Sequence, residues 1–295
     1  MTIKTTPFLT DLGTELQKIF GETFLIIQIN PEFGGSINDS FKLVTTHGNF
    51  FLKRNDAKNF PDMFEKEAEG LKMLRTFSTF KIPEVILHGK SENFSFLVIE
   101  YVQKESKTQT FWQNFGRSLA NMHKQTHAQF GMGHDNYIGS IKQINSFKNN
   151  WADFFVSERI VPLVSMANEK GKLDMDTVKM FEKLCYKIPD LFPNEPPALL
   201  HGDLWSGNYF CANSNTPCVF DPAIYYGNRE MDLAMMQLFG GFHNDTFKAY
   251  QEIFPLEAKW NERIDLCNLY PLLVHVNIFG GNYARQVKQI LTRFT

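Results

Sequence analysis

HGDLWSGN occupies positions His201 to Asn208, and FDPA follows at Phe220 to Ala223. Between them, YFCA (209–212) and CVF (218–220) flank the polar sequence NSNTP, the pattern of two short strands around a turn. Paired symmetrically about that turn, the strands set Cys211 opposite Cys218, Tyr209 opposite Phe220 and Asn208 opposite Asp221. Asp203 lies in the loop just before them. Two carboxylates and an amide oxygen would then share one small space. Oxygen donors of this kind suit Mg²⁺, whose shell is completed by water and phosphate oxygens. An Asp beside the metal can orient a hydroxyl and accept its proton. Asp-x4-Asn followed by a second Asp is the layout of kinase-type phosphoryl transfer. A solvated loop whose Asp and Asn merely form turns gives the same short match, so the rest of the chain has to decide.

Working toward the N-terminus, FFLKRN puts Lys53 in a strand. The helical pattern NFPDMFEKEAEGLKMLRTF (59–77) sets Met63, Phe64, Leu71 and Leu74 on one stripe. Glu67 is four residues from both Met63 and Leu71 and shares that stripe. A carboxylate on a buried stripe needs a partner, and Lys53 is the candidate; a Glu reaching solvent at the helix edge is the alternative. The turn FGGSINDS (33–40) offers Gly34, Gly35, Ser36 and Asn38, where backbone N–H groups can approach phosphates. An ordinary hairpin reads the same way, and neither G-x-G-x-x-G nor a Walker A sequence occurs. FLVIEYV (96–102) reads as a strand ending in a hinge. Glu100, Tyr101 and Val102 there are candidates for an adenine edge, with a plain buried strand as the alternative.

The chain has 295 residues, enough for two lobes with a sizeable core. Hydrophobic residues make up 43% and charged residues 21%, and 30 basic against 32 acidic side chains leave a formal charge of −2. There is no basic field to hold nucleic acid and no polybasic run to hold a membrane. No signal-peptide core and no apolar run near the ~18 residues of a spanning helix is present, so a cytoplasmic location is expected. None of Cys185, Cys211, Cys218 and Cys267 forms a C-x-x-C pair. Strands around one helix fill the first hundred residues. QKESKTQT (103–110) is a polar linker, and the patterns after it are mostly helical: 110–126, 151–171, 173–188, 229–250 and 259–294. The expected architecture is α+β and bilobal, with a small antiparallel-sheet N-lobe over 1–102 and a larger, mainly helical C-lobe over 103–295.

These residues together resemble the fructosamine kinase (ketosamine-3-kinase) family, within the aminoglycoside-phosphotransferase-like and protein-kinase-like fold. The likeness runs through nearly the whole chain: GGSINDSFKL, FFLK, FEKEAEGLKML, LVIEYV, LANMH, HGDLWSGN, FDPAIYYGNREMDLAM, LFGGF and VHVNIFG. It implies ATP-dependent phosphorylation of a ketosamine such as a fructosamine or ribulosamine, at the 3-hydroxyl. It implies Asp203 as base, Asn208 and Asp221 as Mg²⁺ ligands, Lys53 on the phosphates and Glu67 as its partner. Trp205, Tyr225 and His275 are candidates for the acceptor, a small-molecule ketoamine or glycated amine, and a monomer or weak dimer is expected. Arg229, Glu230 and Asp232 are expected to brace the catalytic loops. Unlike some relatives, PEFGGSINDS holds no Cys.

Four other readings compete, one of them a protein kinase, for which the short stretch between DPA and NREMDLAM leaves little room for an activation segment. A kinase of another small alcohol or amino sugar would keep the same core. A nucleotide-binding pseudokinase would lack turnover, although all five core residues are present. A metal hydrolase would have to use His123 and His127 of HKQTH, which lacks the Glu of H-E-x-x-H.

Overall fold

A computed structural model describes residues 6–32 and 37–295. Five strands, β1 (Ile26–Pro31), β2 (Asp39–Thr45), β3 (Gly48–Asp56), β4 (Val85–Ser91) and β5 (Phe94–Glu100), form one antiparallel sheet in the order β1-β2-β3-β5-β4. Two helices belong to this region, where the sequence reading expected one. Helix α1 (Pro7–Phe20) was missed, although its signals are present. Thr6 caps it, Pro7 opens it, and Phe8, Leu12 and Leu16 recur every fourth residue and are buried.

The sheet alternates between two cores. Phe50, Leu52, Phe96 and Val98 pack with the α1 stripe. Leu97 and Ile99 face the other way and pack with Phe64, Ala68, Leu71 and Leu74 of α2 (Met63–Phe77). Lys53 is paired with Leu97 across the sheet, so strand periodicity turns its side chain to the α2 side. Gly70 lets α2 lie close to the segment after Asp221: a Cβ there would be 3.3 Å from Pro222 Cγ.

The remainder is mainly helical: α3 (Gln109–His123), α4 (Trp151–Phe154), α5 (Val161–Glu169), α6 (Met175–Leu191), α7 (Glu230–Leu238), α8 (Asn244–Ile253), α9 (Trp260–Phe279) and α10 (Asn282–Leu291). A π-helical turn, Phe155–Ile160, joins α4 to α5. The stretches 229–250 and 259–294, expected as continuous helical patterns, each break in two. The breaks fall at Gly240-Gly241 and Gly280-Gly281, all four with positive φ, which a helix cannot continue through. Short strands complete the fold: the hairpin β6 (Asn136–Ile138) and β7 (Ile141–Gln143), β8 (Ala198–Leu200), the hairpin β9 (Tyr209–Ala212) and β10 (Thr216–Val219), and β11 (Tyr225–Gly227), which pairs with β8. Among the described residues no helix is long and apolar enough to cross a membrane.

Helices α3 and α8 touch at backbone distance. A Cβ added at Gly116 would sit 2.1 Å from Thr246 O. Gly116→Ala is therefore expected to lower stability by about 1–3 kcal/mol through overpacking, read as a shifted urea midpoint. An unchanged midpoint would contradict so close a crossing.

Candidate active site

Strand β8 delivers the chain into HGD, and a buried carboxylate shapes the turn. Asp232, near the start of α7, accepts hydrogen bonds from His201 N at 2.8 Å and Gly202 N at 2.9 Å. His123 Nε2 lies 3.2 Å from the same carboxylate. Gly202 has φ 81°, and a Cβ there would be 2.0 Å from Ala223 O, so only glycine fits. His201 Nε2 donates to Phe220 O at 3.1 Å, and its Nδ1 accepts from Asp203 N at 3.3 Å. That arrangement fits a neutral imidazole. Burial lowers its pKa against the opposing charges of Asp232 and Asp221.

Asp203 is held by one side chain. Asn208 Nδ2 donates to Asp203 Oδ2 at 2.9 Å and to Asp203 O at 2.8 Å. Both amide contacts use the nitrogen, which leaves Asn208 Oδ1 as a free donor atom. Burial pushes the Asp203 carboxyl up to about 7, helped by Asp221 and Asp232 and opposed by the Asn208 hydrogen bond and Lys53. A carboxyl tuned near neutrality is suited to proton transfer.

Across the cleft, Lys53 Nζ is 2.7 Å from Glu67 Oε1 and also pairs with Asp221 Oδ1. Lys53 is 4% exposed, so it is a buried cation between two carboxylates. Burial alone would lower its pKa, but Asp221 and Glu67 together outweigh that and hold it raised. Burial pushes the Glu67 carboxyl up, opposed by Lys53. Asp221 has φ 57°, a left-handed conformation that Asp tolerates better than most side chains. Among the described residues no three His, Cys, Asp or Glu side chains converge as a metal site. One carboxylate and one amide oxygen are too few for Zn²⁺. They fit Mg²⁺, which takes one or two protein ligands and fills its shell with water and phosphate oxygens.

These groups line one cleft of about 850 Å³. Asn38, Glu100, Tyr101, Val102, Trp205 and His275 line it as well. Tyr101 and Val102 lie beyond the end of the β3–β5 ladder, so among the described residues their backbone groups face no strand partner. The Glu100 carboxylate is taken by Lys81 at 2.6 Å, and Glu100 N donates to Glu84 O. Asn38 Oδ1 accepts from Asn55 Nδ2 at 3.2 Å. Gly34, Gly35 and Ser36 lie outside the described residues.

Two expectations need correction. The β9–β10 register is one residue off the symmetric pairing. Cys211 faces Pro217, Cys218 faces Phe210, and Phe220 N bonds Asn208 O. The cause is a three-residue turn at Asn213–Asn215, with Ser214 and Asn215 at positive φ, rather than the five-residue NSNTP. Cys211 and Cys218 therefore point to opposite faces, and all four cysteines are free. Asn208 and Asp221 meet Asp203 and Lys53 through the loops instead of as a cross-strand pair. Second, Tyr225 is not an acceptor residue. It is 1% exposed, outside the cleft, stacked on Phe154 and 4.1 Å from the buried Arg159 guanidinium; its place in β11 turns it into the core. The two histidines of HKQTH have separate structural surroundings. His123 is buried against Asp232 and Tyr250, while His127 stacks on Phe147 and Tyr226.

Sequence reasoning also missed residues. Asn136 Nδ2 donates to Ile224 O at 2.8 Å and Gln143 Nε2 to Ala223 O at 3.0 Å, which pins the segment after Asp221. Their hairpin is only three residues per strand, too short for a periodic signal. Phe239, Phe279 and Tyr283 line the cleft. Phe279 carried a readable signal, lying four residues after His275 on one helix face.

The bracing residues do pair. Asp232 serves the HGD turn as described, Arg229 pairs with Glu195, and Arg263 Nε donates to Glu230 at 2.7 Å.

Comparison with known proteins matches a family model described as fructosamine kinase over residues 9–295. A protein of Enterococcus faecium described as a probable ketoamine kinase is 38% identical over 286 residues, covering 95% of this chain and 100% of its own length. A crystal structure assigned as a fructosamine-3-kinase from Thermobifida fusca superposes with a TM-score of 0.85 at 30% identity, covering 96% of this chain and 98% of that one. More distantly, at 16% identity, a thermostable mutant of aminoglycoside phosphotransferase APH(4)-Ia shares the fold. Its TM-score is 0.61, with 96% of this chain and 98% of that chain covered, and it was solved in a ternary complex with AMP-PNP and hygromycin B.

Proposed function

This chain belongs to the fructosamine kinase family, and on that premise we propose that it moves the γ-phosphoryl group of ATP to the 3-hydroxyl of a ketosamine. It is a phosphotransferase with a kinase-like bilobal α+β fold, acting on a sugar hydroxyl. The observation that carries the finer reading is the Asp203 carboxylate, held at 2.9 Å by Asn208 in the same cleft as Lys53 and Asp221.

In this reading residues 1–102 form the nucleotide lobe and 103–295 the acceptor lobe. Tyr101 and Val102 offer backbone groups to the adenine edge. Lys53, kept cationic by Glu67 and Asp221, neutralises phosphate charge. Asn208 Oδ1 and the Asp221 carboxylate would hold Mg²⁺. When bound, that ion supplies further neutralisation of the charge that develops on the transferring group. Asp203 orients the acceptor hydroxyl and takes its proton as the oxygen attacks phosphorus. Trp205 and His275 line the acceptor side. The ternary complex of APH(4)-Ia with AMP-PNP supports an ATP-type ligand for this fold.

The test is Mg-ATP turnover against a fructosamine, a ribulosamine, free fructose, an aminoglycoside and choline. ADP release with the ketosamines alone is expected. Turnover confined to another acceptor would move the chain to a different small-molecule kinase, and bound ATP with silence on every acceptor would favour a pseudokinase.

A further inference from the structure

One end of the cleft is walled by aromatic rings that phosphoryl transfer itself does not use. Trp205, two residues past Asp203, has its ring centroid 6.2 Å from Phe239 at the end of α7. Phe239 lies 5.1 Å from His275, which is 5.6 Å from Phe279 and 4.9 Å from Tyr283. All five line the cleft. Phe239 is 42% exposed and Phe279 56% exposed. Large rings left in water at the mouth of a cavity are surface that a ligand can cover. The charged residues of the cleft lie elsewhere, on the sheet and its hinge, on α2 and in the loops of Asp203 and Asp221.

The inference rests on the ketosamine reading. A ketosamine is a ketose whose C1 is bonded to an amine nitrogen carrying a substituent. With the 3-hydroxyl at Asp203, the substituted nitrogen on C1 stands two carbons from the reacting C3, and Trp205 follows Asp203 by two residues in the same loop. The geometry points to the wall Trp205–Phe239–His275–Phe279–Tyr283 as the surface that receives the amine-borne group and selects an uncharged aromatic substituent over an anionic one. An aryl group stacks on these rings and removes apolar surface from water. A carboxylate there meets the negative faces of the Trp, Phe and Tyr rings and loses hydration.

Fructosamines made from benzylamine and from glycine test this, by calorimetric binding and by turnover with Mg-ATP. The benzylamine adduct is expected to bind about tenfold tighter or better, with kcat/KM favoured to match. Phe239→Ala and Phe279→Ala are each expected to pull that ratio toward parity through KM. Phe279→Leu, which keeps apolar bulk, is expected to restore part of it and guards against a variant that merely misfolds. Equal affinities in the wild type, or a ratio unmoved in both alanine variants, would overturn the inference. Equal turnover of both adducts would do so while leaving the kinase reading intact. Benzyl-selective binding without phosphoryl transfer would keep the wall and sink the kinase reading.

Discussion

Asp203→Asn is expected to lower kcat on a ketosamine by about 10²–10⁴-fold, the usual cost of losing one acid–base group, and to leave Mg-ATP binding close to wild type. The substitution changes one atom. An asparagine at 203 still accepts from Asn208 Nδ2, which bonds Oδ2 of the native side chain and its backbone carbonyl, so the loop keeps its shape. What disappears is the ability to take a proton. The groups assigned to phosphate and Mg²⁺, namely Lys53, Asn208 and Asp221, are untouched. The two readouts therefore separate: turnover falls while nucleotide affinity, measured by calorimetry, stays. Turnover near wild type would remove Asp203 from the role of base. Loss of nucleotide binding as well would mean that the variant had disturbed the loop, and Asp203→Glu would then be needed to separate shape from charge.

Asp232→Ala is expected to cost about 3–5 kcal/mol, the range for removing one member of a buried charged network. Asp232 is 1% exposed. Its carboxylate accepts from two backbone N–H groups and faces His123 Nε2, and alanine would leave both N–H groups and that ring nitrogen without this partner in the core. A domain of ordinary stability has about 5–15 kcal/mol in total, so the variant loses a large part of it. Urea denaturation reads the loss, and a shift below about 0.5 kcal/mol would contradict the bracing role. The same carboxylate sets a pH dependence. Burial alone would raise its pKa, but His123, His201 and the Gly202 N–H outweigh burial and lower it. A lowered folded-state value means stability that is fully present above the unfolded value, about 4, and is lost as pH falls through the folded one. Asp232→Asn should flatten the stability profile in that acid window.

The chemistry was more legible in the sequence than the geometry that assembles it. Lys53 and Glu67 were readable because strand and helix periodicities each fix a face, and a charge on a buried face has few possible partners. Asp203, Asn208 and Asp221 were readable from residue type and order. The cross-strand reasoning that first joined Asn208 to Asp221 was wrong by one register step, because a turn's length depends on left-handed residues such as Ser214 and Asn215, which sequence does not announce. Helix α1 was missed despite a Thr-Pro start and a four-residue apolar repeat. Tyr225 was misplaced because its role follows from the three-residue pairing of β11 with β8, a contact between segments 25 residues apart. The aromatic wall needs α7, α9 and α10 to meet the catalytic loop, and those contacts exist only in three dimensions.

The central claim is that the γ-phosphoryl of ATP ends on the 3-hydroxyl of a ketosamine. Phosphorus–proton correlation NMR of the product formed from a fructosamine and Mg-ATP tests it most directly. The account predicts a single phosphate ester coupled to the proton on C3. A phosphate coupled to another carbon, or inorganic phosphate with no ester, would contradict it.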